Sequence, residues 1–406
     1  MSKSRWLQIT LVAMALGGLL LVACGGGGGS SASNPLVNAG GGAPTTTTTL
    51  SVLPGMPPVL DVANLYSETA VGKFADVTKD DLTRVYVPNR AGGDVTVIDP
   101  ATKKVVDTFA TGRDPQHVTP SWDLTTLWVN NNAEGRKDGS ITPIDPQTGK
   151  PGASIAVEDP YNLYFTPDGR SAIVVAEAYK RLDLRDPKTM ALQSTIDTPN
   201  CDGINHADFS IDGKFVIFSC EFSGSLVKID LTTKQVVGYL PLSGGGMPQD
   251  VKASPDGKTF YVAELTRGGL YTVDPYAFTE TGFIPVGVGT HGITPSRDAT
   301  RFFVANRGTS KVGGPPKGQG SVSVLDLATR QITATWPVPG GGSPDMGALS
   351  ADGSTLWLSG RYDNVVYAID TTTGAYTIIP VGLEPHGLAV WPQPGRYSLG
   401  HTGNMR

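Results

Sequence analysis

Between Arg84 and Gly112 the chain alternates apolar and polar positions in three short runs. Arg84-Val-Tyr-Val-Pro-Asn89 leads to Asp94-Val-Thr-Val-Ile-Asp99 and then to Lys104-Val-Val-Asp-Thr-Phe109. β-Branched and aromatic residues fill the runs, and turn formers separate them, which predicts strands joined by tight connections. A fourth run, Gln116 to Thr119, follows Gly112.

The unit recurs along most of the chain. The Asp that closes one of its strands returns as Asp99, Asp145, Asp186, Asp230, Asp274, Asp326 and Asp370. The spacing, about 41 to 52 residues, is that of propeller blades. Pro or Thr often follows, so each carboxylate is expected to accept backbone N–H groups of an Asx-type turn. A second mark, Asp-Gly, stands at Asp168-Gly169, Asp212-Gly213, Asp256-Gly257 and Asp352-Gly353. There it supplies the positive-φ residues of a hairpin. The unit is therefore a four-stranded antiparallel meander, A-B-C-D. One such sheet cannot bury both faces alone, so the pattern predicts an all-β propeller.

The ends bear on the number of blades. Pro58–Asp61 and Leu65–Val71 read as strands C and D, and Phe74–Thr78 as a further strand A. At the other end Pro385–Trp391 reads as strand A and Arg396–His401 as strand B. Head and tail then complete one composite closing blade. Eight blades is the favoured expectation, and seven, with one terminal strand outside the ring, is the alternative.

The motifs "Val-Tyr-Val-Pro-Asn", "Val-Thr-Val-Ile-Asp", "Phe-Tyr-Val-Ala-Glu" (260–264) and "Phe-Phe-Val-Ala-Asn" (302–306) resemble YVTN-family β-propeller repeats. The resemblance covers nearly all of residues 57–406. Such repeats are similar to the propeller parts of nitrite and nitrous-oxide reductases and to lactonase-like propellers, so it implies a fold more than an activity.

The N-terminus reads differently. Lys3 and Arg5 precede an apolar run, Leu11 to Val22, which is short for a membrane span and predicts a signal peptide over residues 1–23. Leu21-Val22-Ala23-Cys24 resembles a bacterial lipobox. That resemblance implies lipidation of Cys24, export and a membrane anchor, with Gly25 favouring the outer membrane or cell surface. Residues 24–56, rich in Gly, Ser and Thr, form the tether, and residues 57–406 the propeller.

A net charge of −5 without basic runs argues against nucleic acid as a partner. No nucleophile elbow, phosphate loop, His-Glu-x-x-His or haem-attachment motif is present. The chemistry lies instead in position. The D–A and B–C loops share one face of the disc. There the first residues of the inner strands read Ala75, His117, Asn162, His206, Asp250, His291, Met346 and His386. Four of the five histidines thus fall at one structural position, and His401 closes the last predicted B strand on the same face.

His117, His206, Asp250, His291 and His386 have ligand types that suit copper, zinc or iron, with His206, Asp250 and His291 the best trio. A hydrated polar channel is the competing reading. Strand-B ends supply candidate ligand-binding residues: an acidic arc of Glu177, Glu221 and Glu264 facing a basic arc of Arg90, Arg307 and Arg361. That pattern suits a cation or amine site beside an anion site. Cys201 and Cys220 flank the A–B hairpin of one blade, so outside the cytoplasm a disulfide is expected, with a metal group including His206 or two free thiols as alternatives. Gly313–Gly320 enlarges one B–C loop, as a flap or a tolerated insertion. Two functions fit. One is an envelope lipoprotein whose funnel binds a small ligand or protein partner. The other is a metal-dependent propeller enzyme, a lactonase-like hydrolase or redox protein. Oligomeric state is not encoded in any of these features.

Overall fold

The computed structural model describes residues 50–314, 318–401 and 403–406. The expected signal peptide, the lipidated Cys24 and most of the tether lie outside the described residues. No helix among them is long and apolar enough to cross a membrane.

Among the described residues seven antiparallel sheets form the blades, six of four strands and one, blade 2, of five because its outer strand is split into Lys150–Pro151 and Ile155–Ala156; the strands nearest the axis contact one another all round the ring. In blades 2 to 7 the inner strands are Pro115–Pro120, Pro160–Phe165, Ile204–Phe209, Pro248–Ala253, Thr290–Pro295 and Pro344–Leu349. Blade 1 is shared between the ends. Its inner strand, Ala389–Trp391, pairs antiparallel with Arg84–Asn89, placing Val390 opposite Val85. The other two strands of blade 1, Asp94–Asp99 and Lys104–Ala110, follow in sequence.

The ring therefore closes with one strand from the tail and three from the head, not two and two. Seven blades replace the favoured eight. The reason is local. Phe74–Thr78 makes a short 3-10 turn (Asp76–Thr78), and Leu65–Val71 contains another (Ser67–Thr69). Neither segment alternates apolar and polar positions for long enough to pair as a strand. Arg396–His401 has no Asp-Gly turn behind it, only Pro392, Pro394 and Gly395, so it cannot fold back on Ala389–Trp391 as a strand B.

Both segments close the A–B-turn face instead. The head runs across the turns, with Leu53 N donating to Asp212 O and Leu65 N to Pro255 O at 2.8 and 2.7 Å. The tail enters the axial channel as a small hairpin in which Ser398 bridges Met405. Its backbone pairs with the inner edge of blade 3, Phe165 N donating to Leu399 O and His401 N to Leu163 O. Arg406, at the end of the chain, reaches Asp208 at 2.6 Å. The channel is thereby plugged from below, and His401 is carried up on the tip of the plug.

The turn marks behave as the repeat requires. Asp230 and Asp370 accept the N–H groups of Thr232 and Thr372 at 2.8 and 3.0 Å, and the other closing aspartates form like turns. Ser210, Ser254 and Ser350 donate to Asp212, Asp256 and Asp352 across the A–B turns. Gly213 sits there at φ 69°, a region only glycine enters freely. Carboxylates also join blades: Asp208 Oδ2 accepts from Ala253 N, and Asp250 Oδ2 from Ile293 N, each at 2.9 Å.

Cys201 and Cys220 form a disulfide with Cα atoms 4.9 Å apart. It closes a loop of 19 residues. Replacing both cysteines with serine is expected to lower stability by about 3 kcal/mol on the chain-entropy scale. Thermal melts of the variant, and of the native protein with and without reductant, check this.

Candidate functional site

The inner strands do not begin as regular strands. Their pairing shifts register at the start, between Pro115 and His117, Ile204 and Ala207, Pro248 and Val251, Thr290 and Ile293, and Pro344 and Gly347. A bulge there turns two consecutive side chains towards the axis region. One residue after the first, Gln116, Tyr161, Gln249 and His291 line an open recess on the loop face, about 80 Å³ in volume. Two residues after it come His117, Asn162, His206 and Asp250.

Five imidazoles meet at the floor of this recess. His117 lies 4.9 Å from His401, 5.6 Å from His206 and 4.7 Å from His386, centroid to centroid. All five are buried. Burial drives each towards the neutral form: His117 falls to about 3 and His291 to about 4, with His206, His386 and His401 also held well below the usual value. Room for the His117 ring exists because residue 387 is glycine; any side chain there would collide with Nδ1.

Among the described residues two groups come within metal-ligand range: His117, His206 and His401, and His291, Asp345 and His386. The expected trio is not among them. Asp250 spends both oxygens on the backbone N–H groups of Val251 and Ile293 and lies 3.8 Å from Lys252. His401 enters from the plug, not from a strand B. Asp345 takes the place expected for Met346. The parallel between Pro344-Asp345 and Pro385-His386 is the signal that aligns it, one residue earlier than strand periodicity alone suggests.

Asp345 is ion-paired. Arg307 Nη2 stands 2.8 Å from its Oδ1, His291 Nδ1 lies 2.8 Å from the same oxygen, and Arg361 Nη1 is 3.9 Å from Oδ2. Burial opposes ionisation, but the Arg307 guanidinium first, then His291 and His386 beside it, hold its carboxyl well below the usual range.

The strand-B arcs divide on inspection. Arg90, Arg307, Arg361, Glu177 and Glu221 all line the recess. Glu264 does not: its carboxylate caps the backbone N–H groups of Met247 and Thr266. Each arginine already faces a carboxylate. Arg90 pairs with Glu134 and Glu384 at 2.7 and 3.0 Å, Arg361 with Glu384 at 3.4 Å, and Arg307 with Asp345. Glu177 and Glu221 have no cationic partner among the described residues. Glu221 accepts Asn205 Nδ2 at 2.8 Å. Burial, and for Glu177 also the charges of Glu221, Asp159 and Glu134, push both carboxyls up. Phe222 and Tyr161 line the same wall, and Val312 brings the enlarged B–C loop to its rim.

The asparagines that close strand B in the repeat motif are structural. Asn89, Asn131 and Asn306 donate to Thr96, Thr142 and Ser323 on strand C.

Just behind the acidic wall Asp159 is fully buried, with Oδ2 accepting Ala178 N at 2.7 Å and Oδ1 without a partner. Burial raises its carboxyl to about 7; the charge of Glu134 adds to this and that of Arg181 opposes it. An acid whose folded pKa lies above its unfolded value binds its proton more tightly when folded. It therefore costs nothing below about pH 4; stability falls between about pH 4 and 7, by at most about 1.4 kcal/mol per pH unit, and levels off above the folded value. Asp159→Asn keeps an acceptor for Ala178 and removes the charge. The variant is expected to match the native protein near pH 4 and to melt higher above about pH 7, as differential scanning fluorimetry across pH would show.

A family model described as YNCE-like beta-propeller matches residues 61–394. No curated protein sequence matches the chain. Among solved structures, hydrazine synthase of Kuenenia stuttgartiensis is similar at 21% identity and a TM-score of 0.55, covering 66% of this chain and 87% of that one. The periplasmic gluconolactonase PpgL of Pseudomonas aeruginosa is similar at 17% identity and a TM-score of 0.60, covering 75% and 98%. The dihydro-heme d1 dehydrogenase NirN gives 17% identity and a TM-score of 0.55, covering 79% and 77%. At these identities the likeness is one of fold.

Proposed function

The chain belongs to the YNCE-like beta-propeller family, and on that premise we propose that it is a cell-envelope lipoprotein whose funnel captures a small organic cation. The observation that carries this reading is the unpaired acidic wall. Glu177 and Glu221 share one recess with Tyr161 and Phe222, while every arginine in that recess already faces a carboxylate. Two carboxylates supply charge, and aromatic faces supply the quadrupole that attracts an ammonium group. A recess of about 80 Å³ suits a small amine head group. The Gly-rich tether and the lipobox-like Leu21–Cys24 support display at a membrane surface.

Proton linkage gives this reading a sign. Glu134 and Asp159 raise the Glu177 carboxyl alongside Glu221, and Arg361 opposes them; Arg307 and Arg361 oppose the shift at Glu221. A bound ammonium favours the ionised forms, so it expels protons from carboxyls that hold them in its absence. Amine affinity is expected to rise as pH climbs above the ordinary carboxylate range, and titration in buffers of different ionisation enthalpy would register proton release. Affinity that is flat or falls over this climb counts against the acidic wall as the site.

A second reading, a metal-dependent hydrolase or redox enzyme, is favoured by one observation: the floor of five buried neutral imidazoles. Its test is turnover of lactone substrates or redox dyes by metal-loaded protein.

A further inference from the structure

We propose that His117, His206 and His401 form a copper or zinc site beneath the funnel, completed by the C-terminal plug. The ligand atoms of the three lie within 4.8 Å of one another, and all three residues are buried. Two come from inner strands of the ring, in blades 2 and 4. The third is delivered by the tail hairpin, anchored through Arg406 to Asp208 and through Asn404 Nδ2 to Ala207 O at 3.2 Å.

An independent observation points to a ligand. Neither ring nitrogen of His117, nor Nε2 of His206, has a hydrogen-bond partner, although both residues are wholly buried. Leaving a buried polar atom unsatisfied costs about 1–3 kcal/mol. Converging several such atoms on one point is unfavourable unless something there accepts their lone pairs. A metal ion does so, and imidazole suits copper and zinc. Asn162 supports the arrangement from outside, since its amide contacts the Nδ1 atoms of both His206 and His401 at 3.1 Å. One side chain thereby orients two ligand rings.

The second cluster is a poorer host for a cation, although it offers a carboxylate. Arg307 Nη2 stands 2.8 Å from both Asp345 Oδ1 and His291 Nε2, so a guanidinium already occupies the place a metal would take. Arg361 adds a further positive charge 3.9 Å from Asp345. Among the described residues no arginine donates a hydrogen bond to His117 or His206.

This inference does not depend on capture of an organic cation by the acidic wall, and its test does not involve that wall. The full-length protein is loaded with Cu(II) or Zn(II), dialysed, and analysed for metal and by electron paramagnetic resonance. The expected result is one tightly held ion per chain, with nitrogen hyperfine structure from the copper form. His401→Gln is expected to weaken retention by about a hundredfold or more, since losing even a supporting partner costs 10- to 100-fold. His386→Gln, in the other cluster, is expected to retain the ion. The copper spectrum of the native protein stands even if a variant fails to fold. No retained metal, a spectrum without nitrogen coupling, or loss in His386→Gln but not in His401→Gln would overturn the proposal.

Discussion

Asp345→Ala is expected to destabilise the propeller by about 3–5 kcal/mol, the cost of removing one partner from a buried charge network. The carboxylate is wholly buried and is the shared partner of Arg307, His291 and, more distantly, Arg361 and His386. Without it Arg307, itself 1% exposed, keeps a desolvated charge with nothing to balance it. Asp345→Asn retains the shape but not the charge, and is expected to fall between alanine and the native protein. Chemical denaturation of the three proteins would rank them. Equal midpoints would mean that the cluster is solvated and contributes little.

Removing residues 394–406 is expected to have an effect of similar or greater size. The tail ends in Arg406, whose guanidinium pairs with buried Asp208, and breaking such a pair alone costs about 3–5 kcal/mol. The truncation also strips Asn404 from Lys252 and uncovers the inner edge of blade 3, where Phe165 N donates to the tail. The closing strand Ala389–Trp391 would remain, so the ring should still form. The expected result is a folded but less stable disc whose Phe165 amide, which donates to Leu399 O, exchanges with solvent far faster. Unchanged exchange there would show that the tail is not what seals the channel.

Much of the architecture was legible because it rests on short-range chemistry. Each closing Asp and each Asp-Gly turn announces itself within a few residues, and seven such aspartates mark seven blades. Closure was misread because the tail after Trp391 keeps apolar residues, Tyr397 and Leu399, that mimic a strand. Their partners lie in other blades, Tyr397 packing 5.5 Å from Trp122 in the A–B turn of blade 2, and nothing local encodes that choice. The site was legible in kind more than in membership. Strand alignment brought His117, His206, His291 and His386 to one level, but the bulges at the strand starts shift the phase by one residue. That shift hid Asp345, Tyr161 and Gln249. It also left Asp250 as an expected ligand, when its oxygens serve the backbone. Glu264 follows the same logic: its position matches Glu177 and Glu221, yet the N–H groups of Met247, just past the Gly245-Gly246 turn, and of Thr266 in its own loop hold the carboxylate down. Which side chains remain unpaired depends on contacts between distant blades, and the repeat does not encode those.

The most direct measurement of the account is calorimetric titration of the full-length protein with trimethylamine hydrochloride and 1,4-diaminobutane at mildly alkaline pH, which favours the ionised acidic wall. Saturable binding is expected, weakened by about a hundredfold in the Glu177→Gln, Glu221→Gln double variant, a loss within the 2–5 kcal/mol range for desolvated charge pairs. An isotherm for the native protein that matches the double variant would contradict capture of a cation in the funnel.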